Sequence, residues 1–160
     1  MRQVLGHFCS GITVITANAG DGRPVGFTCQ SFSSLSLDPP LVSFSPARTS
    51  TTWPQIRAGG SFAINVLGAD NDGLSRQFAR SGTDKFSGVR WAPGTFGAPI
   101  LEGAVAWAEC RVWAEYDGGD HTIVAARVLG LHGDHTKDAL LYYRGAYHLP
   151  VPHPNHLPTR

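Results

Sequence analysis

The sequence predicts a mainly β fold: a small closed or nearly closed antiparallel barrel with short flanking helices, an open sandwich being the alternative. Three observations carry that reading. From Ala104 to Tyr116 the even positions are Ala, Ala, Ala, Cys, Val, Ala and Tyr, while the odd ones include Glu109, Arg111 and Glu115. This period of two gives one small apolar face and one mixed face. The 160 residues include 19 Gly and 11 Pro with only 16% charged, which favours many short elements and turns over a helical bundle. Hairpin signals dominate, and no repeated strand–helix–strand unit points to a parallel sheet.

In chain order, "RQVLGHF" reads as a short amphipathic helix with Val4, Leu5 and Phe8 on one side. "GITVITA" (Gly11–Ala17) is β-branched and bounded by Gly, so it predicts a strand. After the turn "NAGDGRP", "VGFTCQ" is its hairpin partner. A third strand, Pro39–Ser45, starts at a Pro pair that cannot donate ladder bonds. "TSTTWPQIRAGG" reads as a short helix, with Ser or Thr at the N-cap, Pro54 in the first turn and Gly59-Gly60 as the stop. Ser61–Leu67 is a strand, and "DNDGLSRQFAR" a helix with Leu74 and Phe78 on one face. The alternating Ala104–Tyr116 segment turns at "YDGGDH" and returns as "TIVAARVLGLH". "LLYYRGAYHL" adds a last strand broken near its middle by Arg144-Gly145. The count is roughly six or seven strands. One domain over residues 1–149 is expected, followed by a Pro-rich tail, 150–160, that reads as extended or disordered.

A net charge of +1 offers no basic patch for nucleic acid. Cys9, Cys29 and Cys110 are odd in number and widely spaced, which argues against a disulfide framework and fits a reducing cytoplasm. No apolar run has the length of a signal peptide or a membrane span. "HGDH" (His132–His135) and "HPNH" (His153–His156) lack a second ligand pair in an ordered element, so no metal is expected. No G-x-S-x-G elbow, P-loop or dinucleotide glycine motif is present.

What remains is the Ser-rich run from Cys29 to Ser36 and, shortly after it, "ARTSTTW". Hydroxyls, backbone N–H groups and Arg48 beside a helix start suit an anion such as phosphate. Turn-forming serines with a simple helix cap remain the alternative reading.

These segments, in order, carry a resemblance. "GITVITA", "PVGFTCQSFSSLSLDPPLVSFSPARTSTTW", "FAINVL", "FARSGTDKFSGVRW", "GAPILEGAVAWAEC", "YDGGDHTIVAARV" and "LLYYRG" resemble the short-chain flavin reductase family, from about Val4 to Tyr147. These are the reductase components of two-component flavin-dependent monooxygenases. The resemblance implies an FMN-binding split β-barrel of Greek-key type, a cytoplasmic homodimer, and NAD(P)H-dependent reduction of FMN or FAD for a partner oxygenase. It places Thr28, Cys29, Gln30, Ser31 and Phe32 along the isoalloxazine and ribityl edge, with Ser34 and Ser36 continuing toward the phosphate. Arg48, Thr49, Ser50, Thr51, Thr52 and Trp53 would hold the phosphate, and Lys85 and Phe86 a further part of the flavin. His121, Tyr143, Arg144 and Gly145 would lie near the nicotinamide cofactor, with His121 positioning it. Cys29 is expected as a small wall residue beside the flavin, because no neighbouring cation or resolving thiol supports a redox role.

One position departs from the family pattern. Thr51 stands where members often carry Arg or Asn, which leaves Arg48 as the main cation of the loop and shifts the expectation toward a transient, substrate-like flavin. No Arg pair offers itself to a 2′-phosphate, which favours NADH over NADPH. A flavin-dependent oxidase of the pyridoxamine-phosphate type and a non-catalytic flavin-binding module remain as rival readings.

Overall fold

The computed structural model describes residues 1–154; the rest of the tail, with His156, lies outside the described residues. The chain begins with helix α1 (Arg2–Leu5) and strand β1 (Ser10–Gly11), followed by the predicted hairpin of β2 (Thr13–Asn18) and β3 (Pro24–Cys29). β4 (Ser33–Leu37) and β5 (Pro40–Phe44) form a second hairpin, then come α2 (Trp53–Ala58), β6 (Ser61–Val66) and α3 (Asp72–Ala79). A small hairpin, β7 (Trp91–Pro93) with β8 (Pro99–Leu101), precedes the long one, β9 (Ala106–Gly118) with β10 (His121–Gly133). β11 (Leu141–Tyr143) and β12 (Ala146–His148) end the secondary structure.

The main sheet has seven antiparallel strands in the order β3-β2-β6-β9-β10-β5-β4. Its ladder is open, because β3 and β4 are neighbours in sequence but share no ladder. β2 and β6 bury both faces. One face of β2 carries Ile15 and Ala17, which join Phe44, Trp53, Phe62, Ile64, Cys110 and Val124 in an inner cluster. The even-numbered Ala108, Cys110 and Val112 of β9 pack into this cluster, as the period-two pattern requires. Burial, with a smaller contribution from neighbouring Glu109, pushes the Cys110 thiol up to about 12.

The other face of β2 carries Val14, which with Ile12 just before the strand clusters with Leu67, Phe78, Leu101 and Leu140. α3 covers it closely. A Cβ at Gly26 would sit 2.9 Å from the Phe78 ring and 2.8 Å from the Ile15 carbonyl, so glycine there lets the helix seat.

Buried polar side chains hold the β7–β8 hairpin against this outer face. Asn65 Nδ2 donates to the Val14 carbonyl (3.1 Å) and Thr16 Oγ1 (3.0 Å), and its Oδ1 accepts from Leu101 N (2.9 Å). Thr16 Oγ1 donates to the Pro99 carbonyl (2.5 Å), and Asn18 and Ser61 donate to the carbonyls of Gly97 and Phe96 (both 2.9 Å). Glu109 Oε1 accepts from Phe96 N (2.9 Å) and Ala98 N (3.4 Å).

The structure departs from the sequence reading in four places. The Ser-rich run is itself an edge strand, β4. The β7–β8 hairpin was not anticipated. The Arg144-Gly145 break is a tight hairpin turn joining β11 to β12, with both residues at positive φ (50° and 84°). The α1 segment leaves Val4, Leu5 and Phe8 exposed, so none of the described residues covers its apolar side. No described helix is long and apolar enough to cross a membrane.

Asn65 ties three elements together, and its loss leaves the Leu101 N–H buried without an acceptor. Asn65→Ala is expected to lower stability by about 2 kcal/mol or more, read as a lower urea midpoint with an unchanged m-value. A midpoint equal to that of the wild type would contradict the clamp.

Candidate functional site

After β5 the chain is sewn onto the start of β10. Thr122 N donates to the Pro46 carbonyl (3.0 Å), Ala47 bridges His121, and Arg48 N donates to the Asp120 carbonyl (2.9 Å). The predicted Arg48 loop and His121 are thereby neighbours. The first turn of α2 is capped by Ser50, whose Oγ accepts from Trp53 N (3.1 Å), while Thr52 at the N-cap makes no side-chain bond. Among the described residues the amides of Thr49, Thr51 and Thr52 donate to no protein acceptor, as expected of N–H groups at a helix start. Trp53 points inward, edge-on to Phe44 (5.3 Å) and Phe62 (5.9 Å), and its indole N–H donates to Glu115 (3.2 Å).

This loop and the β9–β10 hairpin enclose an open cavity of about 430 Å³, lined by Arg48, Ser50, Trp53, Arg57, Asp117 and Thr122 among others. Its charges are paired. Arg48 Nη2 lies 2.7 Å from Asp117 Oδ1, and Arg57 Nη2 lies 2.8 Å from Glu115 Oε2. Beside the cavity, His121 Nδ1 is 2.7 Å from Asp120 Oδ1. The Gly119 N–H, then Arg48, hold the Asp117 carboxyl below the usual range. The hydrogen bond from His121 does the same for Asp120. Arg57, Glu115, Asp117 and Asp120 were missed by the sequence reading. The hairpin register, which sets Thr122 opposite Asp117, is the signal that finds them.

The Ser-rich run reaches the same place through Ser31. Its Oγ accepts from Ser45 N (2.8 Å), three residues before Arg48, and lies 3.1 Å from Cys29 Sγ. Cys29 turns its side chain into the inner core rather than forming an open wall, and Phe32 packs partly against that core. Gln30 and Ser34 are exposed and Ser36 is half-buried. The β4–β5 register shifts between Ser34 and Ser36, which leaves Leu35 outside the ladder and exposed.

α3 connects the remaining flavin candidates. Thr28 Oγ1 donates to the Ser75 carbonyl (2.6 Å), and Gln77 Nε2 donates to the carbonyls of Lys85 (2.8 Å) and Ser87 (2.9 Å). Phe86 packs edge-on against Phe78 (5.0 Å). Burial lowers the Lys85 amine from its usual value, and no ion pair engages it among the described residues.

Tyr143, Arg144 and Gly145 sit elsewhere. Their hairpin turn and α1 line a separate cavity of about 440 Å³ with Arg2, Gln3 and His7, and Arg144 N donates to the Gly6 carbonyl (3.0 Å). Among the described residues no hydrogen bond or ladder joins this turn to His121, so the structure does not bring the four nicotinamide candidates together.

Residues 5–149 match the family described as flavin reductase like domain. The chain is 44% identical over 146 residues to the reductase subunit HsaB of a flavin-dependent monooxygenase from Rhodococcus jostii, covering 91% of this chain and 74% of that protein. It is 44% identical over 147 residues to the FMN reductase (NADH) SmoA of Agrobacterium fabrum, covering 91% and 82%. Among solved structures, the NADH:FAD oxidoreductase SgcE6 of Streptomyces globisporus, in complex with NAD and FAD fragments, superposes with a TM-score of 0.90 at 35% identity, covering 96% of this chain and 93% of that one. This chain belongs to the flavin reductase like domain family.

Proposed function

We propose that this protein is an NADH-dependent flavin reductase that reduces FMN or FAD and passes the reduced flavin to a partner monooxygenase. Family membership and the relatives' activities support the reading, and one structural observation carries it to particular residues. The Ser31–Ser45 bond, three residues before Arg48, and the backbone bonds from the Arg48 loop to Asp120 and Thr122 tie the ribityl, phosphate and nicotinamide candidates into one hydrogen-bonded stretch beside the cavity lined by Arg48 and Ser50.

The residues present fit a flavin. The amides of Thr49, Thr51 and Thr52, the hydroxyls of Thr49 and Thr51 and the Arg48 guanidinium suit a phosphate. Exposed Gln30 and Ser34 suit the heteroatoms of a ribityl chain or ring edge. Lys85, half-buried and without an ion pair among the described residues, is the cation that the resemblance assigns to a further part of the flavin. When bound together, nicotinamide supplies the hydride and flavin accepts it, so the protein's task is to position the two and exclude water. Asp120 holds the His121 ring by its Nδ1, leaving Nε2 as the nitrogen free to position a cofactor. No residue here is required to move a proton during hydride transfer itself.

The open ladder is best understood as a split barrel. The inner cluster draws Val25 and Cys29 of β3 together with Val42 and Phe44 of β5, from opposite ends of the strand order. A second copy of the chain would complete the assembly by covering the exposed Leu35 and Leu37 on the β4 edge, since open apolar edges invite pairing. A homodimer working in the cytoplasm follows from this reading.

Two outcomes are expected. Purified protein should oxidise NADH, followed at 340 nm, only when FMN or FAD is added, and NADPH should be the poorer donor; no flavin-dependent oxidation of either nucleotide would sink the proposal. Light scattering should give twice the mass of the chain, and Leu37→Asp should shift it toward the single-chain mass. A monomer in the unmodified protein would exclude the dimer.

A further inference from the structure

We infer that Asp117 tunes the affinity for phosphate-bearing flavins by occupying Arg48, so that the flavin phosphate binds only in exchange with this carboxylate. The inference rests on the reading of the Arg48 loop as the phosphate seat, and goes beyond it by naming the group that opposes binding there.

The geometry is specific. Asp117 Oδ1 lies 2.7 Å from Arg48 Nη2 and accepts from Gly119 N at 2.9 Å. The carboxylate is therefore fixed by its own turn and stays beside the loop whether or not Arg48 remains on it. Both side chains are exposed, 53% for Arg48 and 80% for Asp117, and exposed ion pairs are weak enough to exchange.

The cavity's other cation cannot substitute. Arg57 is paired with Glu115 at 2.8 Å, and Glu115 is only 20% exposed and also accepts from the Trp53 indole. His121, next along, is held by Asp120 at 2.7 Å. Each of these three cationic or titratable side chains thus carries a carboxylate. An incoming phosphate meets N–H groups and hydroxyls freely, but a guanidinium only by displacing Asp117. Once displaced, that carboxylate still repels the phosphate across a short, solvated distance. Such a site favours a flavin that comes and goes over one that is retained, and the selection acts on the phosphate alone.

The test compares FMN with riboflavin, which lacks the phosphate. Asn at position 117 keeps an oxygen for the Gly119 N–H, so Asp117→Asn removes the charge and preserves the turn. Oxidised FMN and riboflavin are titrated separately and followed by flavin fluorescence. Asp117→Asn should tighten FMN roughly threefold to tenfold and leave riboflavin unchanged, with the gain shrinking at high salt. In turnover, KM for FMN should fall without a rise in kcat. An unchanged FMN-to-riboflavin ratio would overturn the inference, as would weaker FMN binding, which would make Asp117 a support for Arg48. Arg48→Ala separates the two levels. If it weakens FMN but not riboflavin while Asp117→Asn does nothing, only the role of Asp117 falls. If Arg48→Ala leaves the ratio unchanged, the phosphate seat itself is misplaced and the inference falls with it.

Discussion

The buried Asn65 side chain is the joint on which the arrangement depends. It satisfies the Val14 carbonyl, the Thr16 hydroxyl and the Leu101 N–H at once, and so links β2, β6 and the β7–β8 hairpin. Without an outer layer, the central strands would expose Ile12, Val14 and Leu67 on the face opposite the inner core. An apolar contact alone would cover that face without a defined register. Buried hydrogen bonds with fixed donors and acceptors make the placement directional. Glu109 extends the same logic through one oxygen, its buried Oε1 accepting from two amides of the hairpin tip.

Covering β2, β6 and the first half of β9 in this way leaves the far end of the β9–β10 hairpin free. That end meets the Arg48 loop, and there Glu115 and Asp117 form ion pairs with Arg57 and Arg48, whereas Glu109 and Cys110 of the first half are fully buried. A register shift at Trp113 turns the strand over, so Glu115, opposite Val124, falls on the side of the inner cluster, where its carboxylate accepts from the Trp53 indole. The same strand thus builds core at one end and an ion-paired cavity at the other. The long antiparallel ladder makes this possible, because its two register shifts redirect side chains while the pairing continues well beyond the core.

Much of this was legible in the sequence, for reasons that differ by element. The period of two over Ala104–Tyr116 identified the inner face of β9 as far as Val112, because small side chains on one face report a close neighbour; beyond it the bulge at Trp113 turns Ala114 and Tyr116 the other way. It did not reveal that Glu109 is buried, since what buries it is a hairpin whose short, Pro-flanked strands carry no periodic signal. β4 escaped notice because its alternation is of Ser with exposed Leu, which does not mark a core-facing strand. Val4, Leu5 and Phe8 look like a packed helical face, yet none of the described residues covers them. At the site, the resemblance supplied Arg48 and His121, and the structure makes them neighbours. It did not supply Asp117, because an ion pair spanning 69 positions is set by register rather than by motif.

The central claim is that the Ser-rich edge and the Arg48 loop form one flavin seat. Amide hydrogen exchange with and without FMN tests it most directly. Protection should appear together in residues 30–36 and 48–53 and be absent from the α1 segment and the Arg144-Gly145 turn. Protection confined to that turn, or absent from both predicted segments at saturating FMN, would contradict the account.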